Sequence, residues 1–489
     1  MPTVVAAAAL AAVPALGATG AAIVGHLVVT AVAYGIGEYL RATHGRPRDV
    51  ARNAFGDDGR KQSIRQAVPV KRAVYGQVLA AGPMFFYHVA NPWLYVGQLL
   101  SEGPIAGVDS VQIAGRTVHF SPATLAPVEE PYQTSSGIFA YASFRNGSSS
   151  QAIDPLLAAD FPALPSTFRQ RGIATVVYKL HWGTNSDHHN LLWGASPNPL
   201  ALMRGRLVYD PRVSGQDPAN PATWVYSSNA ALILAHWLIN RWRHPVPAAL
   251  VDWDRIKQAA DICDEWVPRL NADPERRFEA HGIVMGDDAH FETARQLLSA
   301  LNGGLTYRNG LYSIRAAAPR TPVATITDAD IVGPIRQRHA APIRESPNTI
   351  RTVFHSSERG WERANGPILA PVAYLAADGR PNTVTLDLPW TVSHTTAQRL
   401  AKQAMEERRL GRTLSTSLHH VMIGLEVGDV VRVSLRTLPY LDGLYTVEQL
   451  GVGARGLPVE LRAYADTTFA WDAATEEQPF TIDPVDLAA

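Results

Sequence analysis

Short apolar runs with β-branched and aromatic residues, each cut off by glycine or proline, confine most of this chain to sheets of short strands. Residues 74–79, 84–89 and 94–100 are such runs, separated by Ala81-Gly82-Pro83 and Asn91-Pro92. Val111-Gln112-Ile113 and Thr117-Val118-His119-Phe120 flank Ala114-Gly115-Arg116 as a hairpin, and 174–180 and 207–209 predict further strands. Near the C-terminus, 429–435, 443–450 and 458–463 alternate as in a barrel-like sheet.

Helical spacing interrupts this pattern in a few places. Ser228 is positioned to cap a helix through Ile239 with Leu232, Leu234, Ala235 and Leu238 at its apolar positions. Asp252 is a plausible N-cap for a helix running to Leu270, with Cys263 buried among Ile256, Ala260 and Val267. Phe291, Ala294, Leu297, Leu298 and Leu301 predict a helix over 290–302 that Gly303-Gly304 ends. The Asn309-Gly310 pair then predicts a type I′ hairpin between 305–308 and 311–314. Thr395-x-x-Gln398 reads as a capping box for a helix ending before Gly411.

The N-terminus obeys a different rule. Residues 3–37 contain no Asp, Glu, Lys or Arg, a stretch longer than the roughly 20 residues a membrane-crossing helix needs. No basic residue precedes it and it is too long for a secretory signal. Gly17, Ala21 and Gly25 recur every four residues, the spacing that lets helices approach closely. Leu10, Gly17, Ala21, Ile23, Val24, Gly25, Leu27, Val28 and Tyr34 are therefore expected to form either a buried oligomeric plug or a surface that enters a bilayer.

The expected class is α+β, mainly β, in several domains. An apolar helical segment (1–45) and a polar linker (46–66) precede a β-rich domain (67–245). A small α+β domain (246–320), a second β-barrel domain (321–475) and an extended tail (476–489) follow.

Chemistry is hard to place on this chain. Lys plus Arg and Asp plus Glu are equal at 44 each, which argues against a surface built to neutralise phosphates. The single cysteine rules out a disulfide framework and any cysteine-based metal site within the chain. No P-loop, nucleophile elbow, zinc-protease motif, calcium loop or dinucleotide fingerprint is present. His181, Asp187, His188 and His189 could supply metal ligands, but adjacent histidines on a strand face opposite ways. His419-His420 shares that difficulty, and His119 fits a paired or exposed strand position. Glu129-Glu130 and Asp287-Asp288 fit turns and caps, Asn146-Gly147-Ser148 a turn, and the Phe85, Phe86, Tyr87, Trp93 and Tyr95 group a core or interface. No catalytic residue, cofactor site or metal site is assigned, and no enzymatic activity is expected.

The segment Ser101-Glu102-Gly103-Pro104-Ile105, within the run 100–108, resembles the N-terminal hub region of the phage lambda tail-tip protein J family. Other pieces follow in the same order: Ala73-Val74-Tyr75-Gly76-Gln77, Val208-Tyr209-Asp210-Pro211-Arg212, Trp224 and Ser227-Ser228-Asn229-Ala230-Ala231-Leu232. They continue through Ile262-Cys263-Asp264, Asn348-Thr349-Ile350, Trp361-Glu362, 398–405 and 427–431. Ala230 stands where the family usually has proline.

The resemblance implies a homotrimeric structural hub at the distal end of a phage tail, with two barrel-like domains per subunit. Its expected partners are the distal tail protein, the tape measure protein and other tip proteins. Receptor binding would fall to a separate central fibre, because the chain stops at Ala489 where longer family members continue. DNA would pass through the lumen without specific binding, and the N-terminal segment would contact the host membrane or plug the lumen. The alternatives are a tail-associated cell-wall hydrolase and a membrane-anchored bacterial surface protein.

Overall fold

A computed structural model describes residues 69–480 apart from 136, 183–197, 309, 341 and 343–344. The apolar segment with Leu10, Gly17, Ala21, Ile23, Val24, Gly25, Leu27, Val28 and Tyr34 lies outside the described residues, as do the linker, Asp187, His188 and His189.

The first third of the described chain makes two antiparallel sheets over one core. Strands Met84–Ala90, Trp93–Glu102, Ile173–His181 and Ala140–Arg145 follow in that order in a four-stranded sheet. In the second sheet, Leu200–Val208 pairs with Gln77–Ala80, Ile105–Ile113 and Val225–Tyr226, and Arg116–Val118 adds a strand beyond Ile105–Ile113. Period-2 alternation sorts the side chains. Leu94, Val96, Val176, Tyr178 and Leu180 join Ile105, Val111, Ile113 and Met203 between the sheets. Tyr95 and Val177 face the other way, onto Leu156, Leu157 and a group of phenylalanines. Phe85, Phe86 and Trp93 sit in that outer cluster, whereas Tyr87 is exposed.

A helical layer follows. Ala230–Asn240 is buried on every side through Leu238, as a helix apolar on almost every face must be, with His236 the one polar side chain in that stretch. Its cap is Asn229, one residue later than expected, whose side chain accepts from the amides of Ala231 and Leu232. Asp252 caps Trp253–Asp264 as predicted, but that helix stops six residues short of Leu270. Pro268 lacks an amide hydrogen and pushes Val267 to extended geometry, so Trp266–Arg269 becomes a strand paired with Ala272–Arg276. Helix His290–Ser299 and hairpin Gly304–Arg308/Leu311–Arg315 appear where predicted.

The expected barrel over 321–475 is corrected in two respects. Its six strands run Ala324–Ile326, Val430–Val433, Gly443–Leu450, Leu457–Ala463, Thr413–Leu418 and Arg336–Arg338. The two three-residue edge strands do not pair with each other, so among the described residues the sheet is open. The two N-terminal sheets likewise stay separate, and no closed barrel forms there either.

The second correction is an inserted α/β layer. Thr349–Ser356 pairs antiparallel with Glu362–Asn365 and parallel with Thr383–Leu388, across helix Val372–Asp378. Helix His394–Arg409 packs on this sheet through Ala401 and Met405 against Ile350, and on the helical layer through Ala397 and Leu400. Its cap is Ser393, not the Thr395/Gln398 box. Those two side chains are engaged elsewhere, Thr395 with Glu275 and Gln398 with Gln478.

Candidate functional site: the corner at residues 101–105

The resemblance-bearing segment is the corner at which the chain leaves one N-terminal sheet for the other. Strand Trp93–Glu102 ends in the four-stranded sheet and Ile105–Ile113 begins in its neighbour. Each residue between has a definable task. The buried Ser101 hydroxyl accepts from the Val74 amide at 3.1 Å and donates to the Glu102 carbonyl at 3.0 Å. Glu102 receives the Trp242 indole N–H and pairs with Lys71 at 3.3 Å. Gly103 adopts φ +73°, a left-handed conformation that selects glycine, and the Arg206 guanidinium lies over it. Ile105, after Pro104, buries its side chain and donates its amide to the Asn146 carbonyl at 2.9 Å.

The Asn146-Gly147-Ser148 turn is the inner wall of this corner. Gly147, at φ +89°, comes so close that a Cβ would stand 2.5 Å from the Gly103 carbonyl oxygen and 2.7 Å from the Ala174 amide nitrogen. Backbone packs on backbone here.

Polar groups without local sequence partners line the inner side. Arg72 is buried and donates to the carbonyls of Leu100 and Ala81 at 2.6 and 2.7 Å. Burial without a carboxylate pushes its guanidinium down to about 10. The Tyr75 hydroxyl bonds His236 Nδ1 at 2.9 Å, with Trp224 edge-on to the imidazole. Burial, and then the charge of Arg206, hold His236 well below its ordinary value of 6.5. The imidazole is thus neutral at pH 7.

Other resemblance pieces converge on the same junction. Gly76, at φ +61°, lies against His281, whose Nδ1 accepts from the Gln77 amide at 2.9 Å. Trp361 follows Gly360 in a left-handed turn and donates its indole N–H to the Gln77 carbonyl at 3.2 Å. The inserted α/β layer therefore docks on the first sheets through that turn.

A second joint ties this layer to the helical one. Glu275 is 12% exposed in its side chain and Arg399 3%, and the two form an ion pair at 2.5 Å. The carboxylate also accepts from Ser393 at 2.6 Å, from Thr395, and from Thr396 at 3.0 Å. Burial acts to raise the Glu275 carboxyl, but Arg399 and the hydroxyls outweigh it and hold it below its usual range.

The sequence singles out Ser101 to Ile105 and does not mark Arg72, Arg206, His236, Trp242, Glu275 or Arg399. Their partners lie far away along the chain, as with Glu102 and Trp242, so no local pattern marks them. Other candidates among the described residues make local contacts. His119 pairs with Glu129 through backbone and side chain. His181 packs edge-on against Trp93 and Phe139. His420 bonds the Gly453 carbonyl at 3.0 Å, and Asp288 accepts from the Met285 amide at 2.8 Å in a turn. Among the described residues, no three His, Cys, Asp or Glu side chains group closely enough to hold a metal ion. No described helix is long and apolar enough to cross a membrane. At the corner, the described polar side chains bond to neighbouring strands and to Trp242.

Residues 294–441 match a family described as putative phage tail protein. That segment runs from the helix before the hairpin, through the inserted α/β layer, and into the six-stranded sheet. The fold of nearly the whole chain also has a counterpart among solved structures. A chain of the virion of a native gene transfer agent particle aligns with a TM-score of 0.55 and 17% identity, covering 90% of this chain and 97% of that one. A 43 kDa tail protein of prophage MuSo2 from Shewanella oneidensis aligns at a TM-score of 0.28 and 10% identity, covering 81% of this chain and 93% of that one. Prophage tail protein gp18 from Listeria monocytogenes EGD-e aligns at 0.24 and 11%, covering 40% and 58%. Only the first alignment is close enough to establish a shared fold. No curated protein matches the sequence.

Proposed function

We propose that this chain is a structural component of a phage-type tail, and within it the hub that closes the distal end of the tail tube. The observation that carries the reading is the fold shared over 90% of the chain with a virion component. The match of residues 294–441 to a phage tail family supports it from sequence. The corner at Ser101-Glu102-Gly103-Pro104-Ile105 adds to this. Its side chains are spent on joining sheets, and the same is true of the Glu275–Arg399 joint, as befits a part that must hold shape inside an assembly.

In this reading three copies form a ring at the tail's end. The ring meets the distal tail protein, holds the tape measure protein, organises a separate fibre, and opens to let DNA pass. The 1–45 segment plugs the lumen or enters the host envelope. Electron microscopy of tagged particles tests the reading directly. The tag should lie at the distal tip with threefold symmetry. A label along the tube or at the head, or no association with tails, would overturn the hub assignment.

A further inference from the structure

The last described residues form an arm laid over the surface rather than woven into it. After the final strand, Leu457–Ala463, the chain anchors through buried Thr468 and Phe469, then runs across helix His394–Arg409. Lys402 holds the start of the arm, donating to the Ala470 carbonyl at 2.7 Å and pairing with Glu476. Beyond Glu476 the contacts have the character of peptide recognition. Gln398, itself 6% exposed, reads the backbone of Gln478 in both directions. Its Oε1 accepts the amide at 2.8 Å and its Nε2 donates to the carbonyl at 2.9 Å. Glu477 accepts the Leu270 amide at 2.9 Å. Phe480 stacks on His394 at 5.5 Å between centroids and 20° between planes, with Phe354 at 5.6 Å on its other contact.

We propose that this groove is an exchangeable docking site for the segment Glu477-Gln478-Pro479-Phe480, filled in one chain by its own arm and able to take the arm of a second copy. Three features support exchange. Gln478 and Pro479 are exposed and Phe480 lies on the buried Phe354 at the edge of the core, so lifting the arm uncovers an aromatic face that the same ring of a second copy can cover. The groove recognises backbone and one aromatic ring, features that a second copy presents identically, which is the condition for low-cost swapping of an element between protomers. Finally, in an assembly the arms of neighbouring copies would compete at high effective concentration. The inference does not depend on the number of copies or on their place in a particle.

The test uses the full-length chain and a fluorescein-labelled peptide of residues 470–484, with anisotropy as readout. The Phe480→Ala chain, whose own arm has lost its ring anchor, should bind the peptide saturably and at least about tenfold more tightly than the wild-type chain. Adding Gln398→Ala to that chain should abolish binding. No binding to the Phe480→Ala chain, or equal binding with and without Gln398, would overturn the proposal. Hydrogen exchange on the wild-type chain tests the opening step independently of any variant. Amides of residues 475–480 should exchange at least about tenfold faster than those in the middle of the 394–409 helix. Equal protection would mean the arm leaves only when the helix unfolds, and exchange between copies would then be excluded.

Discussion

Removing the Glu275 carboxylate should cost far more than removing an exposed charge, because it leaves Arg399 buried without a counterion. With Glu275→Ala, that guanidinium keeps only the Arg277 carbonyl at 2.9 Å and the Thr396 hydroxyl at 3.0 Å. An orphaned buried charge of this kind costs about 3–5 kcal/mol. The chain has several cores, so one global unfolding free energy is not the right observable. Hydrogen exchange of the His394–Arg409 amides reports the joint itself. The expected loss of protection is roughly two to three and a half powers of ten in the opening equilibrium. Glu275→Gln keeps the shape but not the charge and should fall between. The paired variant Glu275→Leu with Arg399→Met removes the orphaned charge and should recover part of the loss, the remainder being the cost of leaving the buried Thr395 and Thr396 hydroxyls and the Arg277 carbonyl without these partners. Less than a tenfold loss for Glu275→Ala, or a double variant worse than the single, would refute the account of this joint.

Three other outcomes follow from the same geometry, and a fourth from the proposed function. Gly147→Ala should destabilise the N-terminal sheets by about 2 kcal/mol or more, from left-handed strain plus a backbone clash, seen as a lowered thermal midpoint. Asp154, the buried cap of helix Pro155–Asp160, has its carboxyl raised by burial to about 6 from 3.8. Its folded form holds the proton more tightly, so Asp154→Asn should stabilise at pH 7 by about 1–3 kcal/mol and lose that advantage near pH 4. His236 has the opposite sign: a depressed folded value means stability is lost as pH falls below 6.5, by up to about 1.4 kcal/mol per pH unit. A His236→Asn chain should show a flatter denaturation profile between pH 6.5 and 5. Particles lacking residues 1–45 should assemble tails and fail to deliver DNA; normal infectivity would remove that segment from the proposed mechanism.

What the sequence could disclose depended on how far apart the interacting residues lie. The hairpin after His290–Ser299, the strand Gly443–Leu450 and the Asp252 cap were readable because neighbouring residues decide them. The cap at Ser393 was misplaced because Thr395 and Gln398 imitate a local box while serving distant partners. The helix reading through Leu270 followed the spacing of Cys263 and Val267 and underweighted Pro268. The inserted α/β layer escaped notice because its crossover helix, Val372–Asp378, spans only seven residues, too few for a helical apolar period to stand out. At the corner, Gly103 and Pro104 were visible as motif letters. That Gly147 presses against Gly103 could be known only from the fold.

The open six-stranded sheet also sets an order of events. Ala324–Ile326 waits for Val430–Val433, its parallel partner roughly a hundred residues later, and the whole α/β layer lies between them. As the chain leaves the ribosome, the two N-terminal sheets can form while this edge stays unpaired, whereas the helical layer still lacks Ala397, Leu400 and Phe469 from its core. Completion is then a late, slow step of high contact order. A cell making this protein would pass through a species whose first part is native and whose C-terminal sheet still exposes unpaired strands, the form most exposed to aggregation or to chaperone capture.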